Sequence, residues 1–131
     1  MKVLPSLVCL FAALQVVAAN PKSLIEQSGV KGGFVVHLGT KDGERTAKFR
    51  LNERYQVQGL TKDSSALPAI RKAIAKSGAY GPVSADQFHG GPLPYIDNLV
   101  NLIVADETFG VSDEEFLRVL APRGVALVKS G

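Results

Sequence analysis

The chain has 131 residues, 46% hydrophobic and 21% charged, a balance that excludes a disordered or collagen-like protein and fits one globular domain. Fifteen Lys and Arg against twelve Asp and Glu leave +3, and Lys22, Lys31, Lys41, Arg45, Lys62 and Arg71 are scattered instead of forming a stripe, so nucleic-acid binding is not implied. The single cysteine, Cys9, excludes an intramolecular disulfide and a cysteine-built zinc site.

Residues 1–19 read as a cleavable signal peptide. Lys2 precedes an uncharged apolar stretch from Val3 to Val17, and Val17-Ala18-Ala19 forms a cleavage site before Asn20. The stretch is short for a membrane span of roughly 20 apolar residues. Residues 20–131 are then a secreted or periplasmic domain with no stable membrane anchor after cleavage. An uncleaved leader acting as an anchor helix is the alternative.

Beyond the leader, a short helix is predicted over Lys22 to Ser28, broken by Val30-Lys31-Gly32-Gly33. Phe34 to Leu38 reads as a buried strand ending at Gly39-Thr40-Lys41-Asp42-Gly43, with a helix from Glu44 to Leu51. Tyr55 to Leu60 is a second strand. Asp63 or Ser64 caps a helix with Leu67, Ile70, Ala73 and Ile74 on one face and Gly78 as its stop. A third strand is expected over Pro82 to Ala85 and a fourth over Asn98 to Ala105. Ser112-Asp113-Glu114-Glu115 has capping-box spacing and opens a helix with Phe116, Val119 and Leu120 inward. Gly124 to Lys129 is a fifth strand.

This alternation predicts an α/β fold, a doubly wound parallel sheet in the order 3-2-1-4-5. Ligands in such sheets sit at the carboxyl ends of the strands where the order reverses, which places Gly39 to Gly43 at the site. The fifth strand ends the sheet as an uncovered edge from Val125 to Lys129, open to strand addition by a partner.

Other chemistries lack their patterns. Gly39-x3-Gly43 is neither a dinucleotide fingerprint nor a P-loop, and no Gly-x-Ser-x-Gly elbow occurs. His37 and His89 with Asp42 and Asp86 can be drawn as a metal site but have no ligand spacing, so no metal is expected. Asp106 and Glu107 read as a solvated strand end.

Leu38-Gly39-Thr40-Lys41-Asp42-Gly43, the run Leu93-Pro94-Tyr95-Ile96-Asp97-Asn98-Leu99-Val100-Asn101-Leu102 after Asp86-Gln87-Phe88, and Leu120-Ala121-Pro122-Arg123-Gly124 stand in order. They resemble three anchors of class I S-adenosylmethionine-dependent methyltransferases. More narrowly, Val-Val-His-Leu-Gly and the Leu-Pro-Tyr run are similar to a bacterial group in which such a domain precedes a quinoprotein-type β-propeller. The resemblance implies S-adenosylmethionine as cofactor, Gly39, Thr40, Lys41, Gly43, Thr61, Asp86 and Gln87 as its binding positions, and a β-propeller or other protein as partner at the fifth-strand edge. It also implies further elements after the fifth strand, so the fold is read as incomplete at the C-terminus.

Three positions depart from the family's pattern. Lys41 replaces the middle glycine, and its cation opposes a sulfonium. His37 replaces the motif's leading acid, and Thr61 stands where an acid holds both ribose hydroxyls, with Asp63 a late substitute. Since the cofactor is cytosolic, an exported chain with these departures is expected to be a degenerate methyltransferase-like domain serving as a binding or accessory module. The alternatives are an active methyltransferase on an unknown acceptor and an unrelated α/β interaction module.

Overall fold

The structure, a computed structural model, describes residues 2–5 and 20–129. Cys9 and the expected cleavage site at Val17 to Ala19 lie outside the described residues. In chain order the elements are β1 (Lys2–Pro5), α1 (Pro21–Ser28), β2 (Gly33–Leu38), α2 (Gly43–Lys48), β3 (Tyr55–Thr61), α3 (Leu67–Lys76), β4 (Val83–Gln87), β5 (Val100–Ala105), α4 (Asp113–Val119) and β6 (Leu120–Val128), with a 3-10 turn (Ser64–Ala66) leading into α3.

The sheet order is β1-β6-β5-β2-β3-β4. From β2 to β6 every pairing is parallel, which is the expected 3-2-1-4-5 order. Parallel neighbours need crossover connections, and the helices that supply them cover both faces. On one face Val35, Val57, Leu102 and Val104 pack with Ile70 and Ile74 of α3 and with Leu24 and Ile25 of α1. On the other, Val36, Leu38, Leu60 and Ile103 pack with Phe116 and Val119 of α4. Of the residues given inward helix faces, Leu67, Ile70, Ile74, Phe116, Val119 and Leu120 are buried, while Ala73 is half-buried, as is Val125 of the fifth strand.

Four expectations about elements are corrected. The fifth-strand edge is not bare: β1 pairs antiparallel with β6, Lys2 opposite Val128 and Pro5 opposite Val125. A strand edge presents unpaired N–H and C=O groups that any extended segment satisfies, and here the chain's own start does so. The helix expected to reach Leu51 ends at Lys48, where Phe49 turns into the core. The strand expected over Pro82 to Ala85 runs on through Asp86 and Gln87, which pair with Leu60 and Thr61. Leu120 begins β6 instead of lying on α4, and the register shifts between Val100 and Leu102, after which β6 continues past Arg123 at φ 67°.

The capping box is half made. The Ser112 hydroxyl accepts from the Glu115 amide at 3.1 Å, but the Glu115 carboxylate turns to Arg118 at 2.6 Å and to the Leu93 amide at 2.7 Å. Arg118 also holds Asp97 at 2.8 Å. The segment from Leu93 to Leu99, which leads into β5, is thereby fastened to α4.

Candidate functional site

The carboxyl ends of β2 and β5 meet where the strand order reverses, and four segments border that crevice: Gly39 to Asp42, Thr61 to Asp63, Gln87 to Gly91 and Asp106 to Phe109. Gly39 leaves β2 at φ +92°, and a Cβ there would stand 2.7 Å from the Glu107 amide nitrogen. Only glycine allows the two central strand ends to come this close. The Gly39 and Thr40 amides both donate to the Leu60 carbonyl, at 2.8 and 3.1 Å, which ties the loop to the end of β3.

Gly43 has a different role. Its Cβ would lie 2.2 Å from the Ile70 carbonyl oxygen, so this glycine lets α2 rest on α3. Lys41 is exposed and pairs with Glu107 at 3.0 Å, so its cation is matched by a carboxylate of the loop after β5. Thr40 is buried, 2.6 Å from the Thr46 hydroxyl.

The expected ribose and adenine positions are engaged elsewhere. The buried Thr61 hydroxyl accepts from the Asp63 amide at 3.1 Å. Asp63 itself caps the following turn, accepting from the Ser65 hydroxyl and from the Ser65 amide at 3.0 Å, and these bonds, the hydroxyl's foremost, hold its carboxyl below the usual range. Asp86 accepts from the Gln87 amide at 2.9 Å and faces Arg71 at 3.5 Å.

Across the crevice, Lys62 lies over the Phe109 ring at 5.7 Å. Phe88 and Phe109 meet with centroids 6.1 Å apart. Phe88 is buried on the α4 side of the sheet with Val36, Leu38 and Leu60, and Phe109 packs against that same core. Phe109 holds φ +49°, a left-handed conformation that costs a bulky residue about 1–2 kcal/mol.

On the opposite face of the sheet, under α2, is a network whose partners are distant in sequence. His37, on β2, is fully buried. Its Nε2 is 2.7 Å from Asp106 Oδ2 and its Nδ1 is 2.8 Å from the Thr46 hydroxyl. Arg45 donates twice to Asp106, at 3.0 and 3.2 Å, and Phe49 lies 5.0 Å from the imidazole centroid. Burial alone would raise the Asp106 carboxyl, but hydrogen bonds from His37 and Arg45 and their charges bring it down to about 2. An ionised carboxylate only accepts, so Nε2 carries the proton that faces it. The reading of Asp106 as a solvated strand end is thus corrected, since two side chains on other elements, His37 and Arg45, converge on it.

His37 and His89 do not come together: His37 is inside this network, and His89 is exposed in a Gly-rich turn. Among the described residues no three His, Cys, Asp or Glu side chains gather as a metal site. No helix among them is long and apolar enough to cross a membrane.

Thr61 and Asp63 are thus engaged in the turn after β3, while Asp86 stays exposed beside Arg71. Asp42, Asp63, Asp86, Asp106 and Glu107 lie at or near these strand ends with Lys41, Arg45, Lys62 and Arg71.

No family model and no curated protein matches the sequence. Among solved structures, a SAM-dependent methyltransferase from Aquifex aeolicus is similar at 22% identity and a TM-score of 0.60, over 79% of this chain and 59% of that one. Geranyl diphosphate methyltransferase in complex with SAM is similar at 17% identity and a TM-score of 0.65, over 77% of this chain and 44% of that one. The [4+2]-cyclase SpnF is similar at 21% identity and a TM-score of 0.66, over 78% of this chain and 40% of that one. The chain therefore has the Rossmann-like fold of class I methyltransferases and spans 40% to 59% of the length of these structures. That fold also carries a cyclase, so it does not by itself fix the reaction.

Proposed function

We propose that the chain is a methyltransferase-like domain that acts as a binding or accessory module, with weak residual affinity for S-adenosylmethionine and no methyl transfer of its own. One observation carries this reading: the buried Thr61 hydroxyl, where the resemblance puts a ribose-holding acid, accepts from the Asp63 amide at 3.1 Å, and Asp63 in turn accepts from Ser65. The Gly39 turn is kept, so the backbone path that brings a ligand close to β2 survives.

The signal-peptide reading of residues 1–19 supports the same function, since an exported chain meets little of a cytosolic cofactor. Removing the leader would also take away β1 and bare the β6 edge, where a strand of a β-propeller or another protein partner could add. Titrating the purified chain calorimetrically with S-adenosylmethionine and S-adenosylhomocysteine tests the proposal. Weak binding of both, with no transfer of labelled methyl groups to supplied acceptors, is the expected result. Methyl transfer that disappears in Asp86→Ala would overturn it.

A further inference from the structure

Away from the crevice, α1, α2 and α3 leave an open groove of about 900 Å3 that runs along α2 toward the amino-terminal ends of the strands. Its walls carry Lys22, Lys48, Arg50 and Lys76 against one acid, Glu44, which lies 3.4 Å from Lys48. Helix electrostatics explain part of this set, because Lys48 and Lys76 stand in the last turns of α2 and α3, where a cation offsets the macrodipole. Lys22 has no such account. It stands in the first turn of α1, where a positive charge is disfavoured.

Arg50 is held in place, donating to the Tyr55 carbonyl at 3.0 Å. Between the cations the lining is aliphatic, with Ala47, Leu51 and Ala79 facing the space and Leu51 37% exposed. A groove with a basic rim and an aliphatic floor matches a segment that is acidic on one side and aliphatic on the other. Its concavity does not match a flat bilayer, and its lining has no aromatic ring on which a base could stack.

We propose that this groove docks an acidic, amphipathic peptide segment of a partner protein, with carboxylates against Lys22 and Lys76 and an aliphatic side chain against Leu51. The site is separate from the crevice and does not depend on how the crevice is read. Fluorescence anisotropy of a labelled peptide alternating Glu and Leu tests it on the full chain. A Lys/Leu peptide, a single-stranded oligonucleotide and phosphatidylserine vesicles are the comparison probes.

The Glu/Leu peptide is expected to bind at low salt and to weaken about tenfold when salt rises severalfold, as rim charges are screened. Lys22→Glu with Lys76→Glu should weaken it by about tenfold as well, with the circular dichroism spectrum and the S-adenosylhomocysteine titration unchanged. Leu51→Ser should weaken it without altering the salt dependence. No binding of the Glu/Leu peptide, equal binding by the charge-reversed protein, or equal or tighter binding of any comparison probe would overturn the proposal.

Discussion

Replacing Asp106 with Asn removes the anion that His37 and Arg45 enclose while keeping the size of the side chain. In the folded chain the carboxyl lies at about 2 against an ordinary 3.8, and at about 1.36 kcal/mol per pH unit this corresponds to roughly 2 kcal/mol. The side chain is 24% exposed, and solvent screening trims the figure to about 1–2 kcal/mol. Because the folded value is depressed, this stability is fully present above about pH 5 and fades as the pH falls toward 2. Urea unfolding followed by far-ultraviolet circular dichroism should find Asp106→Asn less stable by about 1–2 kcal/mol at pH 7. Near pH 2.5 the gap between the two proteins should have largely closed. A gap of the same size at both pH values would show that the variant acts through packing or lost geometry and not through the carboxylate's charge.

Gly43→Ala should cost at least about 2 kcal/mol, since the new methyl meets the Ile70 carbonyl oxygen at 2.2 Å; denaturant unfolding reads it, and a neutral result would mean that α2 does not rest on α3 as described. Phe49→Ala empties a fully buried site beside His37 and should cost about 3–5 kcal/mol in the same assay. Lys41→Gly combined with Thr61→Asp should tighten S-adenosylhomocysteine by about 10-fold to 1,000-fold in calorimetry. Unchanged or weaker binding would remove this crevice as the cofactor site. A protein beginning at Asn20 should exchange the β1-facing amides of Val125–Val128 faster than the full chain in hydrogen–deuterium exchange, because these residues pair with Lys2–Pro5; equal protection would mean that the pairing does not persist in solution.

The parallel sheet and its order were legible in the sequence. The apolar runs at Phe34 to Leu38 and Asn98 to Ala105 are too continuous for half-exposed strands, and helices of crossover length separate them. The Ser112 cap was legible for a similar reason, since its hydroxyl bonds an amide three residues ahead, whereas Asp63 caps the 3-10 turn and α3 itself starts at Leu67 without a side-chain cap. Strand limits were less so, because Asp86 and Gln87 look like loop residues yet complete the ladder against Leu60 and Thr61.

What the sequence determined by itself was therefore the set of elements, the face each one buries, and the turn at which a ligand would approach, since short-range periodicity and backbone preferences specify all three. The contacts that decide how that turn is used came only with the tertiary structure. His37 meets Asp106 across 69 positions, Lys62 after β3 meets the Phe109 ring after β5, and cations that look scattered along the chain gather at Lys22, Lys48, Arg50 and Lys76 around one groove. No local pattern encodes such meetings, because they depend on which strand ends and helices the sheet order makes neighbours. The same reason explains why the contact of α2 with α3 at Gly43 was not legible in the sequence.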